Sequence, residues 1–377
     1  MYDFNTKRFL FVWLLCSTLC AQALSPYAHR VFEYCPAPGQ FINKAYPAYE
    51  AGETYEDILK KVAEVLVGRK ESGIVCLGSW GGYIVLGFDH AVQNKTDTVD
   101  FKVYGNAHNN SAEPGIVCVS KDLNGNALPD DPWYELAGSG YYSDSTIKNY
   151  ACTYYRPSPA NGNVLWKDNL GDSGYVLRND VYHSQASYYP LWVSEDSLVF
   201  SGSRLVSKAS GGGTSWISPP YAWGYADNWP NNHSGSDFDI DWAVDEQGQP
   251  FYLDEIHFVR IHTAVQDQLG WLGEISTEIS GLEDLHTAIP DLGTDKPALH
   301  YLSTVRQLYV QAPPGSCLEV FNLQGVRVFT QEIEGGILLN DGIEELVLVQ
   351  ILLDFLPQNM YVARLSGNWG SISSGIR

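Results

Sequence analysis

Residues 83–120 read YIVLGFDHAVQNKTDTVDFKVYGNAHNNSAEPGIVCVS. Three runs in this stretch, 83–88, 99–104 and 115–120, are rich in valine, isoleucine, phenylalanine and tyrosine, and clusters of Asn, Asp, Gly and Pro separate them. β-Branched and aromatic side chains suit a pleated, half-buried surface, and the separating residues are those that turn a chain. The spacing therefore predicts short strands joined by loops. The same punctuation returns at 198–200 (LVF) and 256–261 (IHFVRI), which extends the reading to an all-β, jelly-roll-like β-sandwich over 24–290. One N-terminal helix is predicted. Between 51 and 69, Tyr55, Ile58, Leu59, Val62, Val65 and Leu66 recur at helical spacing, with Glu53 and Glu56 near the start and Arg69 and Lys70 at the end.

Past residue 290 the chain turns polar and carries prolines, which marks 291–303 as a linker. Strand-like runs follow at 308–312 (LYVQA), 317–321 (CLEVF), 326–329 (VRVF) and 360–365 (MYVARL). They predict a small Ig-like β domain over 304–377. At the other end, residues 1–23 have the plan of a secretory signal peptide: Lys7 and Arg8, an apolar run over 9–19, then Ala21-Gln22-Ala23. The apolar run is too short for a spanning helix, which needs about 20 residues.

The 377 residues carry 44 acidic against 23 basic side chains, a net charge of -21. Such a surface repels polyphosphate, so nucleic acid and anionic membranes are poor partners, and cations or neutral ligands fit better. Behind the leader stand Cys35, Cys76, Cys118, Cys152 and Cys317, without a Cys-x-x-Cys pair. That pattern argues against a zinc site and a disulfide-dense scaffold, and leaves one or two disulfides or buried thiols.

Residues 122–131, DLNGNALPDD, set Asp122, Asn124 and Asn126 at alternate positions around Gly125, with Asp130 and Asp131 closing the segment. Oxygen ligands spaced by two around a tight turn suit calcium, which takes six to eight oxygens in irregular geometry. The match to an EF-hand loop is partial, and an Asx-rich hairpin turn without an ion is the alternative. A second acidic run, 237–245 (DFDIDWAVD), would as a strand project Asp237, Asp239 and Asp241 from one face, solvated or paired with calcium or with an arginine such as Arg260.

Aromatic residues crowd the presumptive loops. Of these, Tyr188, Tyr189, Trp192, Tyr221, Trp223 and Trp229 are the ligand candidates, since their rings give apolar area with a hydrogen-bonding tip, as sugars and macrocycles require. Nucleophile-elbow, zincin and phosphate-loop signatures are absent.

Several ordered motifs carry a resemblance: 81–90 (GGYIVLGFDH), 100–106 (DFKVYGN), 113–120 (EPGIVCVS), DLNGNALPDD, 133–137 (WYELA), 238–245 (FDIDWAVD) and 258–261 (FVRI). With them the chain resembles secreted cell-surface proteins of gut Bacteroidetes that have a galactose-binding-like jelly-roll core. Residues 318–329 and 356–365 are similar to the C-terminal sorting domains of secreted proteins from the same phylum, although 344–355 (EELVLVQILLDF) interrupts that pattern. The resemblance implies a non-enzymatic protein at the outer-membrane surface, linked to nutrient capture and partnered with an uptake receptor for ligands such as corrinoids. The resulting expectation is a calcium-stabilised binding protein for a neutral ligand, carbohydrate or corrinoid (vitamin B12). The alternatives are a glycan-active hydrolase using two of Asp130, Asp131, Asp239, Asp241 and Glu274, and a structural or adhesive surface protein.

Overall fold

In the computed structural model, the runs rich in β-branched residues form strands. The structure describes residues 25–213 and 215–286, and beyond them 298–302, 307–312, 316–322, 326–332, 347–352, 361–367 and 370–376. The signal-type leader at 1–23 and most of the expected linker lie outside the described residues. The chain divides into two units, Ser25–Ala288 and one comprising Met1–Leu24 with Ile289–Arg377.

In the first unit the elements are β1 (Arg30–Cys35), α1 (Tyr55–Leu66), β2 (Lys70–Cys76), β3 (Tyr83–Gln93), β4 (Phe101–Tyr104), β5 (Gly115–Ser120), β6 (Tyr134–Leu136), β7 (Ile147–Tyr155), β8 (Val164–Asp168), β9 (Ser173–Val176), β10 (Ser197–Arg204), β11 (Ser210–Gly212), β12 (Ser215–Ile217), β13 (Asp237–Phe238), β14 (Ala243–Val244), β15 (Glu255–Thr263) and β16 (Glu278–Asp284). An antiparallel sheet of order β1-β3-β15-β5-β6-β14 faces a second, β13-β4-β16-β2, and this pair makes an all-β sandwich. Leu86, Val117, Val119, Val259 and Ile261 from the first sheet meet Phe101, Val103, Ile279 and Leu282 from the second in one core. Helix α1 adds Ile58, Val62 and Leu66 to that core. Thr54 starts the helix with a capping box: its Oγ1 accepts from the Asp57 backbone N–H, and Asp57 Oδ2 accepts from the Thr54 N–H.

Strand β5 shows why the run GIVCVS is apolar throughout. Val117 and Val119 enter the sandwich, whereas Ile116 and Cys118 face the other way into a cluster with Leu205, Tyr225, Leu269 and Ile275. Both faces of this sheet are covered, so the alternation of a half-exposed strand is lost. A third sheet, β10-β7-β8-β9, packs over Trp80 through Tyr150, Tyr154 and Phe200. The rings of Trp80 and Tyr150 meet edge to face at 4.5 Å.

The turn at 77–82 (LGSWGG) ties these layers together. Gly81 N–H donates to Thr263 O, Thr263 N–H donates to Gly82 O, Thr263 Oγ1 donates to Gly78 O, and Tyr154 OH donates to Trp80 O.

The second unit, taken by itself, holds a sheet in which Gln307–Ala312 lies between Ala298–Leu302 and Val347–Leu352. A four-stranded sheet joins Arg327–Glu332, Cys317–Asn322, Tyr361–Gly367 and Gly370–Ile376. Two expectations are corrected here. The polar segment read as linker contains a strand at its end, 298–302, and the interrupting 344–355 supplies the paired strand Val347–Leu352. Cys35, Cys76, Cys118, Cys152 and Cys317 are all free thiols, which removes the disulfide alternative for them.

Candidate functional site

The loop at 122–131 gathers the residues its sequence suggested. Asp122 Oδ1 accepts from the Gly125 and Asn126 N–H groups and its Oδ2 from Ala127, while Asn124 and Asn126 Nδ2 both donate to Asp130. Asp131 Oδ2 accepts from Leu123 N–H at 2.8 Å. Five side chains thus organise one exposed turn; burial is the largest single influence on Asp122 and raises it, but the backbone N–H groups of Ala127, Gly125 and Asn126 together outweigh it and hold the carboxyl below its usual range.

The six aromatic candidates do not form one face. Tyr188 and Tyr189 are 0% exposed and pack under the third sheet, with hydroxyls donating to His183 O and Glu195 O. They are core residues, because a loop that lies against a sheet buries its rings. Trp192 packs on Tyr34 and Tyr49. Tyr221, Trp223 and Trp229 share a different loop: Tyr221 meets Tyr225 edge to face, Trp223 lies tilted against Trp242, and Trp229 stacks on His233 at 4.0 Å. Of the six, Trp223 is the most exposed, at 40%.

The acidic run at 237–245 is not a continuous strand. Asp237 pairs with Lys102 at 2.7 Å, Asp239 caps a 3-10 turn over Ile240–Trp242, and Asp241 accepts from Asn94. Arg260, the partner suggested by sequence, instead lies over the Trp133 ring at 5.0 Å. Among the five carboxylates named for hydrolysis, Glu274 alone lines an aromatic-walled cavity.

That cavity encloses about 860 Å³. Phe41, Tyr46, Trp216 and Trp271 give it aromatic walls, and Glu113, Glu274, Ser276 and Glu278 give it an acidic base. Two close approaches to glycine backbone shape its wall. Strands β11 and β12 form a hairpin that carries Trp216 over Gly270, where a Cβ would approach the indole nitrogen to 2.9 Å. At Gly273, with φ of +93°, a Cβ would fall 1.9 Å from Gln40 Oε1. Trp271 remains 40% exposed at the rim and meets Tyr182 edge to face.

Three polar atoms of the lining are buried without a hydrogen-bond partner: Gln40 Oε1, Trp216 Nε1 and Glu274 Oε2. Behind the wall stands Asp227, whose ligand-type oxygen lies within 4.8 Å of those of Glu113 and Glu278. Two full charges at that separation repel by about 3 kcal/mol at an effective dielectric constant near 20. Among the described residues no lysine or arginine pairs with Glu113, Asp227, Glu274 or Glu278. Burial, then the neighbouring Asp227 charge, pushes Glu113 up to about 8. Burial likewise pushes Glu274 up to about 8, and it raises Asp227 to about 7 against three backbone hydrogen bonds that favour its charge.

These shifts set a pH dependence. A carboxyl group whose folded pKa lies above its unfolded value of about 4.3 contributes stability at low pH and loses it as pH rises through the folded value. In chelator, the melting temperature of the 25–288 unit is therefore expected to fall between about pH 6.5 and about pH 8. Below that window His262, pushed down to about 4 by burial, acts in the opposite direction. Differential scanning calorimetry across the window checks this, and a flat or rising trend contradicts it.

Sequence reading missed Glu113, Asp227, Glu278, Trp216 and Trp271 as site residues. For Trp271 a signal was present, since Gly270 and Gly273 bracket it and leave its ring exposed on a tight loop. No protein-family model matches the chain, and no curated protein matches it.

Proposed function

We propose that the protein is an extracellular, non-enzymatic binding protein that takes a neutral, hydroxyl-rich ligand, carbohydrate before corrinoid, into the cavity between Trp216, Trp271 and the buried carboxyls. The observation that carries this reading is the set of partnerless buried atoms, Gln40 Oε1, Trp216 Nε1 and Glu274 Oε2, beside exposed aromatic area. Three polar atoms left dry inside a folded protein are costly unless a ligand or water satisfies them. A sugar offers hydroxyls that both donate and accept, and its C–H face stacks on indole. The resemblance to secreted Bacteroidetes surface proteins and the net charge of -21 support a neutral ligand outside the cell. Calcium in the 122–131 loop is part of the same reading, as an ion that stiffens that turn.

A glycan-active hydrolase is the second reading, favoured by Glu113 and Glu274, each raised to about 8 and so able to hold a proton at neutral pH. Isothermal titration against a glycan panel and cyanocobalamin tests the first. Binding of a glycan, weakened at least about tenfold by Trp271→Ala, is the expected outcome. Failure of every glycan and of cyanocobalamin to bind overturns it, and release of shorter glycans moves the assignment to the hydrolase.

A further inference from the structure

We propose that Glu113, Asp227 and Glu278 form a site for a divalent cation such as calcium in the wall of the cavity, separate from the 122–131 loop. One oxygen from each of the three lies within 4.8 Å of the others. Oxygens at calcium distance, about 2.3–2.6 Å from the ion, stand up to about 5 Å apart across it, so a single ion can touch all three.

The spacing is not the whole argument. Gln40 is 4% exposed and lines the same cavity. Its Nε2 donates to Leu272 O at 2.7 Å, which fixes the other amide atom as an oxygen acceptor, and that oxygen has no donor. Glu274, also 4% exposed, uses Oε1 to accept from the Gln40 N–H and leaves Oε2 buried without a partner. The unsatisfied groups of this cavity thus include two buried oxygens, and no lysine or arginine among the described residues pairs with the three carboxyls of the cluster, so an entering cation meets oxygen donors and no competing positive charge.

The backbone holds the three ligands in place from different parts of the chain. Asp227 is anchored by the N–H groups of Asn106, Ala107 and Glu278 at 2.8–2.9 Å. Glu113 is held by the Ser276 N–H at 3.1 Å, and Glu278 stands at the start of β16. Glu113 and Glu278 line the cavity, so an ion on them turns its remaining positions toward a bound ligand's hydroxyls. That last step rests on the carbohydrate reading; the cation site itself does not.

Terbium is the probe, because Trp216 and Trp271 line the cavity and sensitise its emission. Titration of the full chain is expected to give saturable, tryptophan-sensitised luminescence that calcium displaces. It should persist in Asp122→Ala with Asp130→Ala and weaken at least about tenfold in Glu113→Gln with Glu278→Gln. Wild-type crystals soaked in terbium supply a readout that needs no folded variant: an anomalous peak is expected among Glu113, Asp227 and Glu278. A peak at 122–131 alone, or luminescence lost only in the loop variants, overturns the site, as does no terbium binding. Glycan titration with and without calcium separates the two readings. Glycan binding without terbium at the cavity removes the cation and keeps the ligand, and terbium binding with no glycan does the reverse.

Discussion

Asp227→Ala is expected to destabilise the 25–288 unit by about 3–5 kcal/mol, enough to leave little margin in a domain of ordinary stability. Asp227 is 1% exposed, and its Oδ1 takes the N–H groups of Asn106 and Ala107 while its Oδ2 takes that of Glu278. Alanine would leave three donors dry, each at a cost of about 1–3 kcal/mol, and relief of repulsion with Glu113 would offset a part. Asp227→Asn can keep the two bonds at Oδ1 but sets an amide N–H₂ against the Glu278 N–H, so its loss should be roughly a third to a half as large. Urea unfolding with an unchanged m-value reads both. If Asp227→Ala falls within about 1 kcal/mol of wild type, the carboxylate is not the tie between these segments.

Gly82→Ala is expected to leave no cooperatively folded protein. A Cβ there would stand 1.9 Å from Leu77 O and 2.3 Å from Ala37 N, the two ends of a 3.0 Å backbone hydrogen bond. Neither atom belongs to a side chain that could rotate away, so the strain falls on the joint where three sheets meet and exceeds about 4 kcal/mol. Gly212→Ala is the control, since a Cβ at that position has no neighbour within 4 Å. Circular dichroism melts of both decide it: a Gly82→Ala protein melting near wild type would mean the 77–82 turn is built differently.

Local composition made the strands and the helix legible. The periodic leucines and valines of 55–66 and the β-branched run 115–120 say what each segment is. Strand order was not legible, because which of several similar runs pair is decided by burial over long separations. A jelly-roll order was therefore an extrapolation, whereas the sandwich followed from the runs themselves. The loop at 122–131 was readable for a related reason: its contacts are local, within ten residues of sequence.

The cavity was not. Glu113 in AEPG, Asp227 in YADNW and Glu278 in STEIS look like scattered acids, and only the fold brings their oxygens together. Tyr188 and Tyr189 misled because paired aromatics beside a proline resemble an exposed loop; this loop lies against the third sheet and buries both rings.

The pairing of Lys70 with Gly281 and of Tyr83 with His262 carries a consequence for synthesis. Strand β15 sits inside the larger sheet and β16 inside the smaller, yet both emerge from the ribosome after every other strand of the sandwich. A topology of such high contact order cannot close early, and its first half waits as unpaired edges. Fragments ending before Glu278 lack the strand that β2 and β4 both need, and they will behave as unfolded, protease-sensitive chains.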